Sequence, residues 1–324
     1  MSQFDTHFDL TAAYPGLQLG EDGIYYCKEA GEKAEHPRDS EEPKGETNVW
    51  PREGNRSVAE QCGKVESEAI SYPEEGNEAC FQIEDQSFWF RHRNDCIREL
   101  VRNFPPRDKG PIFDVGGGNG FVAKELKEAG WDVVLVEPGP SGARNAKKRG
   151  LENVVCGTTH SAGFKNGSLP AIGVFDVVEH IQGDGDFIRH LHDLLEQDGM
   201  LYLTVPAYQF LWSAADVRAG HARRYTLQSL RSFLEDKGFS ISFSTYFFKY
   251  LPATVFLFRT LPYRLGLSSA KPNKNTTARE HGTDQGIGVK ILRWLISTEA
   301  NLIRDKKRIP FGGSCLLAAR KQIS

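Results

Sequence analysis

Residues able to do chemistry gather in four places along this chain. The first is Asp114-Val115-Gly116-Gly117-Gly118-Asn119-Gly120, an acid that closes an apolar run and is followed by glycines at every second position. Glycine lets a backbone approach a ligand where any Cβ would collide, and the helix behind such a loop offers unpaired N–H groups. The second is Glu137, 17 residues after Gly120 at the end of the next apolar run. An acid there can accept hydrogen bonds from ribose hydroxyls. Asp114 has a second reading, as a cap for the N–H groups of its own loop.

The third place is FDVVEHI (Phe175–Ile181), which puts Asp176, Glu179 and His180 directly behind a hydrophobic run. His180 reads equally as a catalytic group and as a histidine bound to backbone beneath a ligand. The fourth is Tyr208–Tyr225, YQFLWSAADVRAGHARRY, a long connection that holds Trp212, Asp216, His221, Arg223, Arg224 and Tyr225. Asp216 with His221 is an acid-oriented general base, and Arg224 is suited to an anionic group. The competing reading of Arg223 and Arg224 is a solvated or loop-tying pair.

The elements that must position these groups alternate. Ile112–Val115 reads as a strand, FVAKELKEAG as a helix closed by Gly130, and WDVVLVE as a second strand. SGARNAKKRG is helical, Asn153–Cys156 is a short strand and Ala171–Val178 is a buried one. DFIRHLHDLLEQDG is an amphipathic helix, with Phe187, Ile188, Leu191, Leu194 and Leu195 on one face and Gly199 as its stop. Strands at Met200–Val205, Phe239–Phe248 and Gly312–Arg320 follow, with a helix over Thr226–Lys237. This alternation predicts an α/β fold, a seven-stranded, mostly parallel Rossmann-like sheet with helices on both faces. Upstream, DQSFWFRHRNDCIRELVRNF is helical, with Asp85 and Ser87 as caps. Its aromatic cluster packs across the sheet edge with Arg91 and Arg93 solvated, or covers the ligand cleft with Trp89 or His92 facing it.

The domain reading places an N-terminal extension with a mobile polar linker at 1–79, the core at 80–248, an apolar and helical insertion at 249–311 and the last core strand at 312–324. Lys28–Glu68 is polar and almost without aliphatic residues, too poor in apolar area to offset the cost of ordering. Tyr250–Leu267 is apolar and broken by Pro252 and Pro262. It is too short to cross a bilayer and reads as a buried helix or oligomer contact, or else as an interfacial segment whose Arg259 and Arg264 meet headgroups. Ala270–Gln285 reads as polar and mobile, and Ile287–Ile303 as a helix.

The 324 residues are 39% hydrophobic and 26% charged, which describes a soluble globular protein. A net charge of −3 gives no basic field to favour nucleic acid. Six cysteines without a CxxC, and no signal peptide, point to a reducing, cytoplasmic location. Cys27, Cys62, Cys80 and His36 fit no zinc-ligand spacing, so no metal is expected.

Two ligands compete for the glycine loop. Gly118-x-Gly120-x-x-Ala123 matches a dinucleotide fingerprint, with Glu137 as its ribose acid. Asp114-x-Gly116-x-Gly118-x-Gly120, however, resembles the first motif of the class I S-adenosylmethionine-dependent methyltransferases. Glu137 sits where that family has its ribose acid, FDVVEHI resembles its fourth-strand motif, and LLEQDGMLYLTVPA (Leu194–Ala207) resembles its segment leading into the fifth strand. The resemblance spans roughly Ile112–Arg320. More narrowly, FDVVEHI, TVPAYQFLWSAAD and AGHARRYT resemble bacterial members of unassigned acceptor, with relatives that modify quinones, lipids or sugars.

The resemblance implies S-adenosyl-L-methionine as cofactor, held by Asp114, Gly116, Gly118, Gly120, Glu137 and Asp176. It implies catalytic His180, His221 and Asp216, and a small-molecule acceptor, hydrophobic or lipid-linked, bound by Trp212, Arg224 and Tyr225. Peripheral membrane contact goes with such an acceptor, and the oligomeric state stays open. The chain departs from the family after the third strand, where Gly157–Ser161 has no acid for the adenine amino group, leaving Thr158, Thr159 or a carbonyl for that contact. The alternatives are an NAD-binding oxidoreductase and a non-catalytic S-adenosylmethionine-binding protein.

Overall fold

The computed structural model describes residues 10–28, 78, 80–267 and 298–322. The expected polar linker after Lys28, the mobile segment Ala270–Gln285 and most of the helix expected over Ile287–Ile303 lie outside the described residues; 298–304 are helical.

The short N-terminal elements α1 (Leu10–Ala13), β1 (Leu17–Leu19) and β2 (Tyr25–Cys27) precede a long helix, α2 (Phe88–Asn103). Then come β3 (Ile112–Val115), α3 (Phe121–Glu128), β4 (Val133–Glu137), α4 (Pro140–Lys148), β5 (Val154–Cys156) and β6 (Leu169–Phe175). After β6 follow α5 (Asp184–Leu194), β7 (Leu195–Pro206), α6 (Ala214–Ala219), α7 (Leu227–Glu235) and β8 (Phe239–Phe247). An apolar helical excursion and β9 (Ser314–Lys321) complete the set.

The strands form one sheet in the order β1-β2-β5-β4-β3-β6-β7-β9-β8. β2, β5, β4, β3, β6 and β7 run parallel, while β9 inserts antiparallel between β7 and β8. The central strands are apolar throughout because helices cover both faces, so successive residues supply opposite cores. Ile112 and Leu135 face the layer holding Ile97, Leu100 and Leu126, whereas Phe113 and Val134 face the layer holding Ile188, Leu191 and Leu201.

The sheet has nine strands among the described residues, which corrects the expected seven. The two extra strands are an N-terminal hairpin whose Tyr25 and Tyr26 pair in parallel with Val155 and Cys156 on the β5 edge. The sequence offers a short strand at Gly23–Tyr26, but three-residue strands carry too little periodicity to show that they join the sheet. The hairpin turn has its own device: Gly23 takes φ +72°, and Asp22 accepts from the Ile24 N–H (3.1 Å) and the Tyr26 hydroxyl (2.7 Å).

The chain order reverses at β3, with β4 on one side of it and β6 on the other. In open α/β sheets this opens a crevice at the carboxyl ends of the strands. α2 packs over that end, capped by Ser87 Oγ, which accepts from the Trp89 N–H (3.2 Å).

The excursion after β8 is continuous helix. It consists of α8 (Leu251–Val255), a wider turn over Phe256–Thr260 and α9 (Leu261–Arg264). Pro262 has no N–H to donate, and the wide turn ahead of it is closed instead by Leu261 N–H donating to Phe256 O. Of the two readings joined here, Phe258 at 76% and Leu267 at 77% exposed correct the buried segment, while an oligomer contact is compatible with that exposure. The excursion is anchored at its base by Glu299, which accepts from the Phe248 N–H (2.6 Å) and the Lys249 N–H (2.9 Å) and pairs with His92 Nε2 (3.0 Å).

Candidate active site

The glycine loop leaves β3 through Gly116, whose φ of +71° and whose contact with Val177 exclude a side chain. A Cβ on Gly116 would stand 2.9 Å from Val177, and one on Gly120 (φ +74°) 2.6 Å from Leu151. These glycines therefore answer first to backbone hand and protein packing. Glu137 ties the loop to the next helix: its carboxylate accepts from Gly118 N–H (2.9 Å) and from Gly139 N–H (2.8 Å) at the N-terminus of α4. Burial raises the Glu137 pKa to about 7, against the lowering effect of those two N–H groups.

Asp114 is buried at the head of the loop, where the Ala123 N–H faces its carboxylate but neither oxygen has a well-formed hydrogen bond among the described residues. Burial raises its pKa to about 7, offset in part by the charge of Arg93 and reinforced by that of Glu137. A buried carboxylate left without a partner is costly. The α-ammonium of S-adenosylmethionine is a group of the charge and donor capacity that this position lacks, so the residues present fit that cofactor.

Asp176 closes β6 in the left-handed region, at φ +58°. Non-glycine residues hold such a conformation when surrounding contacts over-determine it. Thr204 Oγ1 donates to one oxygen (3.0 Å) and Arg93 Nη1 to the other (2.8 Å). Arg93 is buried, which corrects its expected solvation, and its guanidinium also lies over the rings of Trp89 and Phe90. Neither Trp89 nor His92 takes the cleft-facing place weighed for it: Trp89 stacks on Phe248 and His92 reaches Glu299. Arg93 and Thr204 are the site residues that sequence reasoning missed. A signal existed for Arg93, since it shares the apolar helical stripe of Phe90, Ile97 and Leu100.

The long connection after β7 is ordered by Asp216, which is fully buried. Its carboxylate closes a capping box with Ser213 at the start of α6. It also meets His221 Nδ1 (2.9 Å), Arg224 Nε (2.7 Å) and Arg224 Nη2 (3.1 Å). Burial opposes its charge, but hydrogen bonds from His221 and Arg224 hold it well below the usual carboxylate range. Arg224 also donates to Ala207 O (3.0 Å), so its fork faces protein groups. Tyr225 donates to Asp184 (2.8 Å), an acid that also pairs with Arg223. Trp212 is half-buried at the end of a short turn, Gln209–Leu211.

Glu179 and His180 lie on a single turn behind β6, and the connection folds back over them through Ala222 N–H, which donates to Glu179 O (2.7 Å). The rings of His180 and His221 meet edge to face at 4.8 Å. Burial, with His221 beside it, lowers the His180 pKa to about 4. Burial, with Asp176 beside it, raises that of Glu179 well above the carboxylate range. After β5, Thr158 Oγ1 binds within its own turn to Ser161, and Thr159 Oγ1 meets His190 Nε2 (3.1 Å).

The cleft thus has an acidic glycine-loop end and a histidine-rich end, joined by Arg93 and Asp176. The family model described as "Methyltransferase domain" matches residues 88–242. Two probable S-adenosylmethionine-dependent methyltransferases of Mycobacterium tuberculosis, from strains CDC 1551 / Oshkosh and ATCC 25618 / H37Rv, are each 21% identical over 160 residues. The match covers 48% of this chain and 57% of each relative. A solved phosphoethanolamine N-methyltransferase 2 of Haemonchus contortus, in complex with S-adenosyl-L-methionine, superposes with a TM-score of 0.49. It is 16% identical, covering 81% of this chain and 61% of that one. A methyltransferase from Thermotoga maritima gives 0.48 at 17% identity, covering 76% and 94%. Residues 88–242, with their strand order and acid-headed glycine loop, are thus similar to the methyltransferase domain, and the chain spans a little over half the length of the S-adenosylmethionine-dependent relatives it matches.

Proposed function

We propose that the protein transfers a methyl group from S-adenosylmethionine to a small, hydrophobic or lipid-linked acceptor. The observation that carries the cofactor assignment is Asp114, a fully buried carboxylate at the head of the loop with no cation in contact and no well-formed hydrogen bond among the described residues. Bound there, the cofactor supplies a methyl group made electrophilic by its sulfonium. The chain does the rest. Asp114 takes the α-ammonium, and Glu137 keeps a second lone pair on each oxygen for the ribose while its first ones hold Gly118 and Gly139. Arg93 and Thr204 fix Asp176 between the two ends of the cleft.

An acceptor enters beyond β6 and β7, where Glu179, His180 and His221 are gathered, and the protein's work there is alignment and removal of the acceptor's proton. Asp216 positions His221 for this. Trp212 and Tyr225 contribute walls of the same end. The hydrophobic character of the acceptor is supported by the helix over Leu251–Arg264, which presents Leu257 and Phe258 outward. Among the described residues no helix is long and apolar enough to cross a membrane, so contact with a lipid surface would be peripheral.

Calorimetry with S-adenosylhomocysteine and with NAD tests the cofactor assignment. Saturable binding of the first alone is expected, and binding of NAD alone overturns it. Incubating a metabolite extract with the protein and methyl-labelled cofactor then tests the acceptor: label is expected in an apolar, organic-extractable product. Label confined to protein or nucleic acid refutes the acceptor class. Cofactor binding with no labelled product across such extracts favours a sensor.

A further inference from the structure

We propose that Glu179, His180 and His221 form a binding site for one first-row divalent cation at the acceptor end of the cleft. One ligand atom from each of the three lies within 4.8 Å of the others. Bonds of about 2.1 Å to a common ion place ligands about 3–3.5 Å apart, so side-chain adjustments of roughly 1 Å close the shell. Two imidazoles and one carboxylate make a facial set that leaves positions open on the ion, and imidazole donors favour zinc or iron over magnesium, with manganese usable as a weaker probe.

Two independent observations point to a ligand. Glu179 is 1% exposed and its Oε2 has no hydrogen-bond partner among the described residues, so a full lone-pair site is buried beside two histidines. His221 is oriented as metal-bound histidines are. Its Nδ1 faces the buried Asp216 carboxylate at 2.9 Å, which turns the other ring nitrogen away from the acid. The neighbouring carboxylates of Asp176 and Asp216 are already paired with the guanidiniums of Arg93 and Arg224, so Glu179 is the group left for a cation. A second group, His92, Cys96 and Glu299, is similar in composition but lacks this feature. Both oxygens of Glu299 are taken by Phe248 N–H, Lys249 N–H and His92.

Ion binding stands without the methyltransferase reading. Its consequence rests on that reading: with the ion bound, His221 serves as ligand in place of base, and the acceptor would bear an oxygen donor, a hydroxyl or enol, that completes the ion's shell and releases its proton to solvent more readily there. The test uses the full chain, stripped with chelator and titrated with Mn²⁺ followed by loss of the free-ion magnetic resonance signal, then with Zn²⁺ in competition. One ion per chain is expected. Glu179→Gln and His221→Ala should each weaken uptake at least 10-fold while S-adenosylhomocysteine still binds, which shows that the fold is intact. Wild-type protein that takes up neither ion overturns the proposal, and so does uptake that both variants retain. Should a variant fail to fold, Co²⁺-shifted imidazole resonances in wild-type protein decide: two coordinated histidines support the site and none refutes it. Failure of S-adenosylhomocysteine binding would leave the ion result standing.

Discussion

Replacing Asp114 by asparagine separates what this residue costs the fold from what it does for the cofactor. Its pKa rises from 3.8 to about 7 in the folded protein, chiefly through burial. About three units correspond to about 4 kcal/mol against the ionised form. Because the folded value is raised, its stabilising contribution is present below 3.8 and lost as pH rises through about 7. Cofactor-free wild type should therefore melt at falling temperature from pH 5 to 8. Asp114→Asn keeps the shape and cannot ionise, so it should flatten that profile and melt higher than wild type at pH 8. At about 2–4 °C per kcal/mol for a domain of this size, the gain approaches roughly 10 °C. Glu137, also raised to about 7, retains part of the slope in the variant. The same substitution removes a charge-assisted bond to the ammonium, so S-adenosylhomocysteine should bind about 10–100-fold more weakly at pH 8 by calorimetry. A variant that melts no higher than wild type at pH 8, or binds the product equally well, refutes this account of Asp114.

Other substitutions probe the supports. Arg93→Ala removes one partner of the partly buried pair with Asp176, and should cost about 2–4 kcal/mol in denaturant unfolding and at least 10-fold in S-adenosylhomocysteine affinity. Asp216→Asn withdraws an ionised acceptor from Arg224 and His221, and should cost about 3 kcal/mol with loss of methyl transfer before loss of cofactor binding. Gly120→Ala puts a Cβ at φ +74° against Leu151 and Ala146, and should cost about 2–3 kcal/mol by the same measurement. Phe258→Asp and Leu257→Asp alter exposed positions, so melting should be unchanged while sedimentation with anionic phospholipid vesicles is lost.

The glycine loop, the two acids and the succession of core strands along the chain were legible because each is local. An apolar run with period two, a stop at glycine and an acid at a strand end need no knowledge of distant residues. Asp176, Glu179 and His180 were legible for the same reason, being continuous with β6. Partnership was not. That Asp216 would meet His221 could be read from loop spacing, but that Arg224 would close on the same carboxylate depends on how the chain after α6 returns to Ala207. The N-terminal hairpin and the exposed face of the excursion helix were misjudged because pairing on a sheet edge and exposure are tertiary outcomes. Hydropathy alone does not separate a buried apolar helix from one presented outward.

Arg93 shows what such a partnership adds. Helical periodicity places it among apolar residues, where a charge would be expensive unless something met it. Asp176 meets it, and does so from a backbone conformation that needs support of its own. Asp114, at the cofactor end, and Glu179, at the acceptor end, both have Arg93 as a nearby positive charge. A cationic group beside Asp114 favours its ionised form, and the negative charge so fixed draws on the same guanidinium that favours ionisation of Glu179. Both ends of the cleft therefore feel the charge of one side chain. With Arg93→Lys the charge survives but the planar fork does not. That shared charge should then persist while the geometry of Asp176 relaxes, which separates Arg93 as a charge from Arg93 as a brace.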